Sequence, residues 1–328
     1  MRRTANLIGV AVALAGMCAL AEAQTTDWPT RPVTLIVPFT AGGGIDANAR
    51  LQALVLGEIL GQSVVVENVG AASGTVGSAR VAKAAPDGYT LLIGNSGTHA
   101  YSQSLFKKIP YNAVDDFAPV GLVSESPRIL IVRKDFPADN LGQFIAYVKA
   151  NQAQLRFGSA GIGSGTHLPC ARLNLALGVD VTHVPYRGAG GAMQDLIGGR
   201  IDYMCDTIQT GAAQVKGGSV KAIAVMAAKR APNIPDIPTT AEQGLAGVEA
   251  TVWNGFFFPR GTPQPIVQKM NRALQEMLER PDIRTKMQAL GLEVVPPEQR
   301  TPEYLAGMLP REIARWAKVI KDAGISMD

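Results

Sequence analysis

Short apolar runs alternate with amphipathic stretches along most of the chain, and this pattern predicts strands separated by helices. The apolar runs of strand length are 33–37, 64–66, 90–93, 129–132, 155–157, 201–204 and 222–226. The amphipathic patterns of helical period are 46–60, 141–150, 166–177, 193–197, 265–279 and 302–323. We expect the last helix to bend or break at Pro310, because proline cannot donate the helical hydrogen bond. The order predicts an α/β protein with parallel sheets covered on both faces.

Two segments have the composition of crossings between lobes. Residues 120–132 bring two apolar runs together around a polar Ser-Glu-Ser-Pro, and residues 227–244 are rich in proline. Two crossings place one lobe, residues 125–236, inside another formed by residues 24–124 and 237–328. Paired connections of this kind produce a hinge with a cleft between the lobes.

The first 23 residues have the pattern of a cleaved signal peptide. A basic start, Arg2-Arg3, precedes an uncharged apolar run at 7–20 and a small-x-small sequence at 21–23. This combination is typical of export signals, and the apolar run is too short for a comfortable membrane span. We therefore expect a periplasmic protein whose mature chain begins near Gln24.

Charge and motif content limit the function classes. The chain has 31 basic and 27 acidic residues, a formal net charge of +4, and no dense basic cluster. This mild balance argues against nucleic-acid binding. The chain contains no G-x-S-x-G, G-x-x-x-x-G-K-[ST], H-E-x-x-H or complete G-x-G-x-x-G sequence,. We expect a soluble monomer that is not an enzyme and carries no cofactor.

Five polar, glycine-bearing stretches follow apolar strands. They occupy residues 38–46, 94–99, 158–168, 183–196 and 205–207. In open α/β sheets, ligands bind beyond the carboxyl ends of the strands. The first stretch, Pro-Phe-Thr-Ala-Gly-Gly-Gly-Ile-Asp, is either half of an anion cradle at a helix N-terminus or a tight turn that binds nothing.

Several side chains in these stretches have two possible roles. Ser164 and Thr166 suit contact with a carboxylate or phosphate, and either could instead cap the following helix. Asp46 can cap its own helix or order the loop near a ligand. Tyr186 and Arg187 are either a ligand wall with a carboxylate partner or an exposed surface turn.

The histidines and cysteines are few enough to interpret individually. His99, His167 and His183 could form a metal site, but they lack helical spacing and an acidic signature, so we expect them to orient loops. Without the signal peptide, two cysteines remain, Cys170 and Cys205. An isolated pair in an oxidising compartment favours a disulfide, with two buried free thiols as the alternative.

Four long segments resemble one family. They are "WPTRPVTLIVPFTAGGGIDANAR", "NSGTHAYSQSLFKKIPYNAVDDFAPVGLV", "THVPYRGAGGAMQDLIGGRIDYMCD" and "GFFFPRGTPQPIVQKMNRAL". They closely resemble the Bug-type extracytoplasmic solute receptors, the binding proteins of tripartite tricarboxylate transporters. The likeness extends from about residue 27 to the C-terminus.

The resemblance implies a type II periplasmic-binding-protein fold, in which two doubly wound α/β lobes close on a ligand. It also implies small carboxylate ligands, including dicarboxylates, tricarboxylates, aromatic acids or acidic amino acids, and membrane permease subunits as partners. In the family, two loops hold the carboxylate, often through ordered waters. The positions that match these loops are Phe39, Thr40, Ala41, Gly42, Gly43, Asp46, Ser159, Gly163, Ser164, Gly165, Thr166 and His167. Positions that match contacts to the rest of the ligand are Asn95, Ser96, Tyr186 and Asp206.

The resemblance also implies a bridge between Cys170 and Cys205, as in a subset of the family. The chain departs from the family where members often have proline after the second glycine or after "GGA/GSA". Here those places are Gly44 and Gly191-Ala192.

Two readings from other classes remain open at the level of sequence. A secreted hydrolase or isomerase on the same scaffold would need an acid/base pair, for which His167 and Asp206 are the candidates. A sensory receptor would present its liganded form to a signalling partner.

Overall fold

The computed structural model describes residues 27–42, 44–186 and 188–327. The predicted signal peptide, Gly43 and Arg187 lie outside this part of the chain. The strands are β1 Val33–Val37, β2 Val64–Asn68, β3 Thr90–Asn95, β4 Phe117–Arg133, β5 Arg156–Ser159, β6 Thr182–Pro185, β7 Tyr203–Thr207, β8 Val220–Met226, β9 Thr251–Pro259 and β10 Glu293–Val294. The α-helices are α1 Gly44–Leu60, α2 Thr75–Ala82, α3 Ser102–Leu105, α4 Leu141–Asn151, α5 His167–Leu177, α6 Ala189–Ile197, α7 Ile208–Lys216, α8 Gln264–Glu279, α9 Pro281–Ala289 and α10 Pro302–Asp322.

The strands form two half-sheets that share β4. The order is β2-β1-β3-β9-β4-β7-β5-β6, with β8 and β10 also paired to β4. Residues Phe117–Pro127 of β4 pair with β9, and the next residue, Arg128, pairs with β7 and β8. The chain therefore passes between the halves twice, along β4 and again between β8 and β9.

The sheet is parallel only at its two ends. Strands β1, β2 and β3 are parallel to one another, as are β5, β6 and β7, whereas β9 and β4 run antiparallel to their neighbours. The sequence predicted parallel sheets, and this prediction was wrong for the centre, where the pairs are antiparallel. The reason is that β9, which follows the second crossing, returns to the first half beside β4 and runs in the opposite direction.

All seven predicted strands and all six predicted helices are present, most of them with shifted ends. The helix over 302–322 continues through Pro310, so the expected break is not found. Strand β9 was missed because Asn254 and Gly255 interrupt its apolar run.

Three clusters of buried apolar side chains hold the fold together. One packs α1, α8 and α9 against the first half-sheet, with Leu56 and Met270 at its centre. A second packs α6 and α7 against the second half-sheet. The largest spans both halves and includes Phe144, Tyr203 and Trp316. Burial of this much apolar surface is the main driving force for the fold. Within the described residues, no helix is long and apolar enough to cross a membrane.

Candidate ligand-binding site

The first glycine stretch is held in shape by Asp46. Its carboxylate is 4% exposed. It accepts hydrogen bonds from the Gly42 amide at 2.8 Å, Asn68 Nδ2 at 3.0 Å and Arg50 Nε at 3.2 Å. Burial alone would raise the pKa of Asp46, but these bonds outweigh burial and lower it,. Asp46 therefore braces the loop with both oxygens, while Thr40, Ala41 and Gly42 remain exposed.

The loop between β5 and α5, residues 160–166, is called the serine loop below. Its side chains form hydrogen bonds to one another and to the backbone of the same loop. Ser164 Oγ accepts from the His167 amide at 3.2 Å and lies 3.1 Å from Thr166 Oγ1. Thr166 Oγ1 accepts from the Ala160 amide at 2.8 Å. Ser164 is therefore the helix cap, and Thr166 closes the loop across its base. The backbone amides of Gly165 and Thr166 donate to none of the described residues, which leaves two donors at this helix N-terminus,.

Two stacked histidines support the same loop. The rings of His167 and His183 are 3.8 Å apart at 13°. His167 Nδ1 accepts from the Gly163 amide at 3.0 Å, and His183 Nε2 is 2.7 Å from Ser159 Oγ. Burial lowers the pKa of His167 to about 3, with a contribution from His183, and burial lowers that of His183 to about 4. Both are therefore neutral at pH 7 and orient the loop.

The third histidine has a different environment. His99 is fully buried and stacks on Phe257 at 4.0 Å. Over the described ranges, no group of three His, Cys, Asp or Glu side chains could hold a metal ion.

The polar residues at the end of β3 and directly after it form hydrogen bonds within the protein. Ser96 is fully buried, and its Oγ accepts from the Trp253 amide at 3.0 Å. Asn95 Oδ1 accepts from the Thr98 amide at 3.1 Å. These bonds tie the end of β3 to β9 and to the turn that follows.

Tyr186 and Asp206 lie in the second half of the molecule, after β6 and in β7. The Tyr186 hydroxyl donates to Asp195 Oδ2 at 2.7 Å, and burial with this carboxylate raises the pKa of Tyr186 to about 12. Asp206 is fully buried and accepts from Thr210 Oγ1 at 2.6 Å through Oδ2, while its Oδ1 has no partner among the described residues. Burial raises the pKa of Asp206. No hydrogen bond joins His167 to Asp206, so the acid/base pair of the enzyme hypothesis is not assembled in the described structure.

A cavity of about 650 Å³ opens between the two halves of the molecule. Gly42, Gly44 and Ala47 line one wall, and Met193 and Asp206 belong to the facing wall. The first glycine stretch and Asp206 therefore share one cavity, as expected for residues of one site. Ser159, Ser164 and Thr166 are not among its lining residues and belong to the separate loop network described above.

The serine loop nevertheless reaches the first half at Gly163. Its φ is +71°, and a Cβ there would lie 2.6 Å from Leu105 of α3. Only glycine suits this conformation and this close contact. The halves therefore touch at the serine loop as well as along β4.

The predicted disulfide is present. Cys170 and Cys205 are bonded with their Cα atoms 5.4 Å apart, and both are fully buried. The bond joins the first turn of α5 to β7, next to Asp206. It therefore fixes the helix behind the serine loop to the strand that carries the buried carboxylate.

Sequence reasoning missed two polar side chains at the junction of the halves, Arg128 and Tyr101. Arg128 is 5% exposed and Tyr101 is 1% exposed. Arg128 donates from Nε to the Gly165 carbonyl at 2.8 Å. The signal was a basic residue at the start of the second apolar run of β4, directly after Ser-Glu-Ser-Pro, and strand periodicity does not reveal its partner.

Comparison with known proteins identifies the family. A model described as tripartite tricarboxylate transporter family receptor matches residues 48–325. MatC of Rhodopseudomonas palustris, whose structure contains malate, is 44% identical with a TM-score of 0.78, over 89% of this chain and 100% of MatC. The periplasmic binding protein BugD is 41% identical with a TM-score of 0.78, over 92% of this chain and 100% of BugD. Rpa4515 of R. palustris, solved with adipate, is 36% identical with a TM-score of 0.79, over 91% and 99% of the two chains.

These proteins share the two-lobed α/β fold, which confirms the fold class predicted from the sequence. The match covers the serine loop and begins just after the first glycine stretch, residues 38–46. The chain therefore belongs to the tripartite tricarboxylate transporter receptor family and is a solute-binding protein of the periplasmic Bug type.

Proposed function

We propose that this protein captures a small carboxylate in the cleft between its lobes and delivers it to the membrane permease of a tripartite tricarboxylate transporter. The observation that carries the proposal is the shared cavity, which Gly42 and Gly44 line from one half and Asp206 from the other. The two unbonded amides at the N-terminus of α5 add anion-binding capacity nearby. MatC holds malate and Rpa4515 holds adipate, which supports the carboxylate class.

The lobes are residues 24–124 with 237–328, and residues 125–236. The partner change of β4 between Pro127 and Arg128 supports a hinge at that point. Closure about this hinge would bring the serine loop and the first glycine stretch onto the same ligand. Ordered waters can bridge the exposed loop amides to a carboxylate at little cost in affinity, which suits a site that accepts related acids.

Ligand identity is tested by thermal shift followed by calorimetry. The panel contains malate, adipate, citrate, glutamate and benzoate, with glucose as the neutral control. Binding to the native state raises its apparent stability, so a carboxylate ligand should shift the melting temperature while glucose does not. A panel in which no carboxylate shifts the melting temperature would contradict the proposal.

The role of the serine loop is tested by Ser164→Ala and Thr166→Ala. Both should weaken carboxylate binding about tenfold while leaving the protein folded, because each hydroxyl holds the loop amides in place,. The matched control is Thr285→Ala, which removes an exposed hydroxyl on α9 that bonds only a carbonyl of its own helix. Unchanged affinity in both loop variants would remove the serine loop from the site.

Membership of the transporter receptor family supports delivery of the ligand to a permease, and this step has its own test. Uptake of the bound carboxylate by membrane vesicles that contain the permease should require this protein. Binding without such uptake, together with activation of a sensor kinase, would favour the signalling reading. Residues 1–23 are proposed to be a cleaved signal peptide, so the protein recovered from periplasmic extract should be monomeric and begin at Gln24.

A further inference from the structure

The cavity between the two halves has walls that are mostly apolar. Met193 and Ile197 of α6 and Ala213 of α7 line it from the second half, and Ala47 and Leu290 line it from the first. Its volume of about 650 Å³ is in the range of small-molecule sites, which are typically apolar with a few polar groups,. The lining therefore suits the body of a ligand and not only its carboxylate.

Ile197 is an apolar side chain that the fold leaves open at this wall. It is 44% exposed, whereas Met193, about one turn earlier on α6, is 8% exposed. A Cβ placed on Gly44 or Gly190, which also line the cavity, would meet no atom within 4 Å beyond its own stretch of backbone. There is therefore room beside Ile197 for an apolar group, and covering this side chain would remove apolar surface from water.

The polar groups of the cavity wall do not suit a second carboxylate. None of the described residues that line it is a lysine, an arginine or a histidine. Asp206 Oδ1 is buried without a hydrogen-bond partner among the described residues, and the neighbouring Thr210 hydroxyl already donates to Oδ2 at 2.6 Å. The charge of Arg128 acts on Asp206, but Arg128 is not among the residues that line the cavity. A second ligand carboxylate would lie beside a carboxylate in a medium of low dielectric constant, which disfavours both charges.

We propose that the ligand is a monocarboxylic acid with an uncharged, apolar body that lies against Ile197 and Met193, and that Asp206 disfavours acids with a second carboxylate. This inference rests on the proposed carboxylate-binding function and names the substrate class of the same cavity. Malate and adipate, which MatC and Rpa4515 hold, each carry two carboxylates. This chain therefore differs from those relatives in the acids that it selects.

The test compares hexanoate with adipate by calorimetry on the wild-type protein. Both acids have a chain of six carbons, and they differ only in the end group, a methyl in hexanoate and a second carboxylate in adipate. Hexanoate should bind at least tenfold more tightly. Along the series butanoate, pentanoate and hexanoate, affinity should rise about fourfold per methylene, which corresponds to about 0.8 kcal/mol for each CH₂ buried.

Two variants assign these effects to the cavity wall. Asp206→Asn keeps the shape of the side chain and removes its charge, so it should reduce the ratio of hexanoate to adipate affinity at least fivefold. Ile197→Thr keeps the branched Cβ and removes apolar surface, so it should weaken hexanoate binding about fivefold. The matched control is Leu54→Thr, because Leu54 is 66% exposed on α1 and does not line the cavity. Its hexanoate affinity should equal that of wild type.

Three results would overturn this inference. They are adipate binding as tightly as hexanoate, affinity that does not rise from butanoate to hexanoate, and an unchanged affinity ratio in folded Asp206→Asn. If Asp206→Asn does not fold, the two comparisons on wild type and the Ile197→Thr variant still decide. In each of these cases wild type binds a carboxylate, so the proposed function stands. If wild type binds none of these acids and no carboxylate of the panel above, the proposed function fails together with this inference.

Discussion

Loss of the bond between Cys170 and Cys205 should strongly destabilise the protein. The bond closes a segment with a sequence separation of 35 residues and joins α5 to β7. In the chain-entropy treatment, a cross-link over a loop of this length stabilises the native state by about 4 kcal/mol. Both cysteines are fully buried, so their replacement by alanine also leaves small voids that add roughly 1 kcal/mol,.

The perturbation is the double variant Cys170→Ala/Cys205→Ala, compared with each single variant. Urea unfolding followed by circular dichroism gives the free energy of unfolding from the midpoint and the slope. One substitution already breaks the bond, so either single variant should lose nearly as much stability as the double variant. The two effects are therefore expected to be strongly non-additive.

Two outcomes would refute this reasoning. A double variant within about 1 kcal/mol of wild type would mean that the cross-link contributes little beyond the packing around it. Single variants that each lose about half of the total would assign the effect to the voids and not to the bond. Carboxylate affinity, measured in parallel, should fall as well, because the bond fixes α5 behind the serine loop.

Two further predictions concern pH. Replacing Asp46 by Asn should lower the free energy of unfolding at pH 7 by about 1–3 kcal/mol, because charge-assisted hydrogen bonds are lost,. The folded state lowers the pKa of Asp46, so the difference in stability from wild type should shrink as the pH falls below about 4,. The exposed Asp236→Asn should show no such pattern in urea unfolding measured against pH. For His99, burial lowers the pKa to about 3, so between pH 6.5 and 3 the unfolded chain takes up a proton that the native state does not, and stability falls with falling pH,. His99→Leu should reduce this slope by up to about 1.4 kcal/mol per pH unit, and an unchanged slope would mean that His99 titrates normally in the native state.

The elements that sequence predicted well are those with an uninterrupted pattern. The strand at Val33–Val37 was predicted with correct ends because a β-branched and apolar run stands between Pro32 and Pro38,. The helix at Gln264–Glu279 shows a clear apolar stripe at helical spacing. Strand β9 was missed, and the antiparallel centre of the sheet could not be inferred, because pairing direction depends on which segments meet in space.

The sequence predicted which loops form the candidate site but not how their side chains are arranged in space. Sequence identified the first glycine stretch, the serine loop and Asp206, and it left the roles of Ser164 and Asp46 open. Hydrogen bonds in the folded chain assign Ser164 to the cap of α5 and Asp46 to the brace of the glycine stretch. The domain boundaries and the ligand contacts stay predictions.

The sequence by itself determined the fold class and the family and predicted the positions of the candidate ligand loops, because periodicity and long ordered motifs are properties of the chain alone. The tertiary structure decided which of those loops face one another, since that depends on how the chain crosses between the halves along β4 and again between β8 and β9. It also identified Arg128 and Tyr101, two buried polar side chains that the sequence pattern did not single out. Among the residues around the opening Gly-Gly-Gly, Gly42 and Gly44 line a cavity shared with Asp206, 160 residues or more away in the chain, a relation that only folding creates.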